Sequence, residues 1–179
     1  MAEKWDLLDA ERIPTGEIFD RSGAILPGQL HTVVHICVFN KNGEMLIQHR
    51  NDDKACWAGK WDLSAGGSAF SGETARQTAS RELKEELGLD YDFTNHRPHL
   101  TMNFDCGFDD IYIVHVKELD LSALTLQQTE VQGVRFAALD EILSMLDNGS
   151  FVPYRKNYIR LLFDFANEND YPVKTEKQA

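Results

Sequence analysis

The sequence predicts an α+β fold with a mixed sheet, from three observations. Short β-branched runs flank one internal helical stretch, a Gly66-Gly67 loop separates strand from helix, and the chain closes on two amphipathic segments. With 179 residues, 42% of them hydrophobic, the chain can bury one substantial core, so a single compact domain is expected.

Taken in order, Gly16 to Asp20 reads as a short strand, followed by turns at Ser22-Gly23 and Pro27-Gly28. His31 to Phe39, rich in Val and Ile, reads as a buried strand. Asn42-Gly43 is a hairpin turn signal that joins it to a strand from Met45 to His49. Trp61 to Ala65 reads as a strand running into Gly66-Gly67, and Glu73 to Leu87 as a helix stopped by Gly88. His99 to Cys106 and Ile111 to Leu119 form a second hairpin about Gly107, with a further strand at Val134 to Ala138. Helices at Leu139 to Leu146 and Tyr154 to Phe165 follow, the second opened by Pro153. Residues 1–30 are therefore expected to be an arm packed on a domain of residues 31–166, and 167–179 a flexible polar tail.

Eighteen Lys and Arg face 29 Asp and Glu, a net charge of -11 that repels polyanions and argues against extended nucleic-acid binding. A small phosphate ester is still admissible where bound divalent cations reverse the local field. The three cysteines, Cys37, Cys56 and Cys106, show no metal or disulfide spacing and fit a reducing cytoplasm. No apolar stretch suggests a secretory signal or a membrane span, so no membrane partner is expected.

The helix after the glycine loop carries the chemistry. At about 100° per residue from Ala75, Ala79, Leu83 and Leu87 define one apolar stripe, and Glu82 and Glu86 fall at its edge, within about 20° of Ala75. Glu85 lies next to them. A solvated acidic face with Arg81 and Lys84 as local counter-ions is the plain alternative, but carboxylates bordering a buried stripe must be offset by positive charge. Oxygen ligands suit hard divalent cations, and a glycine pair lets backbone approach a phosphate or a metal.

Gly67, Glu73 and the run Arg81-Glu82-Leu83-Lys84-Glu85-Glu86-Leu87-Gly88-Leu89 together resemble the full box of the Nudix hydrolases, of MutT type. The resemblance implies an α/β/α sandwich and water attack on the diphosphate of a nucleoside diphosphate derivative or related small molecule, with Mg2+ or Mn2+ as cofactor. It also implies that Glu82, Glu85 and Glu86 are metal ligands, that Arg81 holds a carboxylate by ion pairing, and that Glu73 supports the helix start. Gly66 and Gly67 would face the substrate. The general base is left open between Glu82, Glu85 and Glu130, the last resembling an acidic position near the metal in relatives.

The stretches His31 to Phe39, Met45 to Arg50 and Trp61 to Gly67 resemble the branch that includes type 1 isopentenyl-diphosphate isomerase. That enzyme uses a cysteine in a Cys-Ser-His-Pro context, whereas Asp62 to Gly67 contains neither Cys nor His, and Cys56 reads as a buried small apolar group. His31, His35 and His49 read as packed or surface residues, and Trp57, Trp61 and Phe104 as core or rim aromatics. Ser68 stands where many relatives carry histidine. Hydrolysis of a small-molecule diphosphate is the leading reading, with isomerisation and a non-catalytic nucleotide-binding module as alternatives. A homodimer is compatible with the C-terminal helix.

Overall fold

The computed structural model describes residues 3–21, 23 and 26–167. The expected tail beyond Asn167 and the Ser22 half of the first turn lie outside them. In chain order the elements are β1 (Lys4–Leu8), β2 (Pro14–Asp20), β3 (His31–Phe39), β4 (Met45–Arg50), β5 (Trp61–Asp62), β6 (Ala65–Ser68), α1 (Ala75–Leu87), β7 (Leu100–Phe104), β8 (Gly107–His115), β9 (Val131–Ala137), α2 (Leu139–Asn148) and α3 (Lys156–Asn167).

Seven strands form the main sheet, in the order β5-β4-β3-β8-β7, with β6 also on β3 and β9 also on β4. The β3–β8 pairing is parallel and the others are antiparallel, so the sheet is mixed. Strand alternation splits the core in two. Val34, Ile36, Val38, Leu46, Tyr112 and Val114 pack with Ala79, Leu83 and Leu87 of α1. Cys37, Phe39, Met45, Ile47, Ile111 and Ile113 pack on the other face with residues of α2 and α3, among them Ile142, Ile159, Leu162 and Phe163. Helices on both faces make the α/β/α sandwich. Among the described residues no helix is long and apolar enough to cross a membrane.

Four expectations need correction. The hairpin at Asn42-Gly43 closes only at Phe39 and Met45, after which β3 and β4 diverge. Trp61 to Ala65 is not one strand: β5 pairs with β4, β6 pairs with β3, and the chain crosses the gap at Leu63-Ser64. Ser64 makes the divergence tolerable, because its buried hydroxyl donates to Leu46 O (2.5 Å) and accepts from Val38 N (2.8 Å), satisfying backbone groups the split would orphan. The second hairpin turns at Asp105-Cys106, with Gly107 already in β8 opposite Phe104, and β8 ends at His115. The internal helix starts at Ala75, not Glu73. Thr74 caps it through a box with Gln77, and Gly88 ends it in the left-handed region at φ 72°.

The arm contains a strand the sequence reading missed. β1 pairs antiparallel with β2 in a separate two-stranded sheet, and Trp5, Leu7 and Leu8 are buried. The Arg12 guanidinium pins the hairpin turn by a two-pronged bond to the buried Asp110 (3.0 and 2.6 Å). At the other end the Trp5 ring stacks on His31 at 4.3 Å.

Candidate active site

The two glycines of β6 serve opposite faces of the strand. A side chain at Gly66 would strike the His35 ring and Val34 O, each 2.7 Å from an added Cβ; one at Gly67 would come within 2.1 Å of Glu82 Oε1. Glu82 therefore occupies the space that a residue-67 side chain would need, which is how α1 brings its carboxylates against exposed backbone.

Glu86 sits deepest, at 5% exposure. Its Oε2 accepts from Gly66 N at 3.2 Å and from Gln48 Nε2 at 3.1 Å. Burial, and then the Glu82 charge, push its carboxyl up to about 8, against the pull of the Gly66 N–H. Burial also raises Glu82, opposed by the Arg81 guanidinium. Glu85 is the most exposed of the three.

Arg81 is the hub. Nε and Nη2 donate to the two oxygens of Glu73 (2.9 and 3.0 Å), Nη1 to Glu82 Oε1 (2.8 Å) and Glu85 Oε2 (3.0 Å), and Nη2 also to Ser68 O (3.0 Å). It lies over the Phe70 ring at 3.8 Å. Glu73, just ahead of the helix, also accepts from Phe70 N (3.0 Å) and Thr78 Oγ1 (3.1 Å), so it ties the loop to α1. Its carboxyl lies below the usual range: burial would raise it, and the Arg81 bonds overcome that.

Arg81, Glu82, Glu85 and Glu86 line a cleft of about 480 Å³, with Gly66, Gly67 and Glu130 on its wall, while Glu73 and Gln48 stand outside the lining and reach it through Arg81 and Glu86. Glu130 is half-buried and ion-paired with Lys54, not free in solvent. All the residues singled out for chemistry thus face one space. Cys56 needs correction: it is exposed and lines the cleft instead of being buried. The histidines read as packed residues stay outside it, His31 under Trp5, His35 against Asp109, and His49 stacked on Trp61.

Gln48 and Lys54 were missed. Lys54, in a polar loop, carries no local signal. Gln48 did: strand alternation puts it on the same face as buried Leu46, where an amide needs a buried polar partner.

The lining suits hard cations. Glu3, Asp53, Glu82, Glu85, Glu86 and Glu130 outnumber Arg21, Arg50, Lys54 and Arg81, and the donors are oxygens. Among the described residues no three such side chains form a closed cage: Glu82 and Glu85 are bonded to Arg81, and Glu86 to Gln48 and Gly66 N.

The NUDIX domain profile matches residues 29–161. The chain belongs to the Nudix hydrolase family. A Nudix hydrolase of Listeria innocua, named as uncharacterised, is 45% identical over 92% of this chain and 96% of its own length. An isopentenyl-diphosphate Delta-isomerase of Pectobacterium atrosepticum is 28% identical over 76% of each chain. The crystal structure of a Deinococcus radiodurans protein superposes with a TM-score of 0.74 at 21% identity, covering 89% of this chain and 97% of that one, and so shares its fold. Nudix hydrolases are pyrophosphohydrolases that generally use divalent metal cations.

Proposed function

We propose that this cleft hydrolyses the diphosphate linkage of a nucleoside diphosphate derivative or related small molecule by water attack at phosphorus, with Mg2+ or Mn2+. The observation that carries the reading is the gathering of Glu82, Glu85, Glu86 and Glu130 on one cleft walled by the Gly66-Gly67 backbone. Bound divalent cations would neutralise the diphosphate oxygens and acidify the attacking water. Glu82, Glu85 and Glu86 would hold them. Gly67, lacking a side chain, lets the Glu82 carboxylate lie against the strand backbone. Arg81 keeps Glu82 and Glu85 oriented, and Gln48 with Gly66 N fixes Glu86. Glu130, held by Lys54 and lining the same cleft, is a candidate to take the water's proton, beside Glu82 and Glu85.

A panel of diphosphate compounds assayed with Mg2+ and with Mn2+ tests this. Product release that requires the metal and is lost in Glu86→Gln supports it, and no turnover of any compound under either metal refutes it. One observation favours a second reading, isomerisation of isopentenyl diphosphate: the Cys56 thiol lines the cleft. Dimethylallyl diphosphate formed by the wild type and lost in Cys56→Ala would establish that alternative.

A further inference from the structure

The family match begins at residue 29, so the β1–β2 hairpin precedes it, yet the hairpin forms part of the cleft. The hairpin is firmly seated. Leu8 N donates to Leu30 O at 2.7 Å, Ser71 N donates to Lys4 O at 2.7 Å, and the Asp6 carboxylate accepts from Ser71 Oγ (2.5 Å) and Gly72 N (2.8 Å). Asp6 and Lys4 thereby grip the loop between the glycine pair and Glu73. With Arg12 locked to Asp110 at the turn, the open end of the hairpin, Glu3 and Arg21, is carried to the rim of the site. Backbone pairing continues there, Arg21 N donating to Glu3 O at 3.0 Å.

The four cationic side chains of the lining differ in what they are committed to. Arg81 is divided among Glu73, Glu82, Glu85 and Ser68 O. Arg50 is bound to Asp62 (3.0 Å) and Cys56 O (3.1 Å) at 19% side-chain exposure, and Lys54 is paired with Glu130 at 20%. Arg21 is paired with Glu3 of its own hairpin, at 54% and 36% side-chain exposure. An ion pair this open is worth little and exchanges readily, whereas the others are part-buried and hold site residues in place. The Trp5 ring lies 6.0 Å from the Arg21 guanidinium carbon, and more than half of the Arg21 side chain stays exposed. Glu3 and Arg21 line the same cleft as Glu82, Glu85 and Glu86, which places this end of the hairpin beside the helix carboxylates.

We infer that Arg21 is a substrate-binding residue, exchanging Glu3 for an oxygen of the substrate's diphosphate, so that the N-terminal hairpin is an integral wall of the active site. This rests on the diphosphate reading above and deepens it. A planar guanidinium can meet two phosphate oxygens at once, which an ammonium cannot, so Lys should restore charge without full affinity.

The test uses the full chain saturated with Mn2+ and inorganic pyrophosphate as the probe, by isothermal titration calorimetry, with kcat and KM on any compound turned over. Arg21→Gln is expected to weaken pyrophosphate binding about tenfold or more, the loss of a charge-assisted hydrogen bond, and to raise KM more than it lowers kcat. Arg21→Lys should fall between. Glu17→Gln, a charge change on an exposed part of the same hairpin, should bind as the wild type does, and melting curves of all variants should coincide. Arg21→Gln binding within about twofold of the wild type, or a wild type that does not bind pyrophosphate at all, overturns the inference. Pyrophosphate binding that depends on Arg21 without hydrolysis of any diphosphate leaves it standing and removes the hydrolase reading instead.

Discussion

Gln48 Nε2 donates to Glu86 Oε2 at 3.1 Å, joining the middle of β4 to the buried end of the acidic helix. Both side chains are buried, at 3% and 5% exposure, so each satisfies a polar group that the interior would otherwise penalise. Replacing Gln48 by Leu keeps the volume and removes the donor. The variant should lose about 1–3 kcal/mol of stability in metal-free urea melts, and its affinity for Mn2+ should change because Glu86 is no longer aimed. An unchanged urea midpoint together with unchanged Mn2+ titration would show the bond to be idle.

Gly67 owes its identity to Glu82, not to backbone strain. Its φ is not in the left-handed region, and the obstacle to a side chain is the Glu82 carboxylate, 2.1 Å from where a Cβ would sit. In Gly67→Ala the carboxylate must move. Metal-dependent turnover should drop by about 100-fold or more, as expected when a positioned group is displaced by an ångström, while cooperative unfolding persists. A fully active Gly67→Ala enzyme would show that Glu82 has no fixed role.

How much of this was legible beforehand differs by scale. The apolar stripe Ala79, Leu83, Leu87 and the intrusion of Glu86 follow from helical periodicity alone, and both are as expected. The divergence of β3 and β4 was hidden, because a turn signal such as Asn42-Gly43 reports only the pairing next to it. The wedge that separates the strands, Ser64, acts from a residue distant in sequence. β1 was missed for a related reason. Lys4–Leu8 is short and half polar, and what makes it a strand is tertiary: its partner β2, the His31 ring beneath Trp5, and the loop that Asp6 holds. Lys54 and Cys56 reach the cleft on a loop without periodic pattern, so burial there could not be inferred.

Arg81 serves three carboxylates with one planar group, a task that Lys cannot duplicate with a point charge. Arg81→Lys should retain one of these contacts and release the others. The expected result is a loss of about 2–4 kcal/mol in stability, since part-buried Glu73 and Glu82 are left without their partner, accompanied by reduced turnover. A double-mutant cycle apportions it: the coupling of Arg81 to Glu73 should exceed its coupling to the half-exposed Glu85. Equal couplings would contradict the hub geometry.

His35 gives the fold a pH signature on the face of the sheet opposite α1. Its Nδ1 lies 2.9 Å from both oxygens of Asp109, Tyr154 packs edge-on to its ring, and the charges of Asp62 and Glu86 also act on it. Burial on its own would lower its basicity, but the charge and hydrogen bond of Asp109, joined by the charges of Asp62 and Glu86, outweigh it and the imidazole is pushed up from 6.5 to about 9. A folded-state value above the unfolded one means that the protonated pair stabilises the native state. That contribution is complete below about pH 6.5 and is lost as pH rises through about 9. Urea midpoints measured from pH 6 to 10 should therefore fall across that window in the wild type, and the fall should flatten in His35→Gln. If the two profiles run parallel, His35 is not protonated against Asp109 in the folded protein.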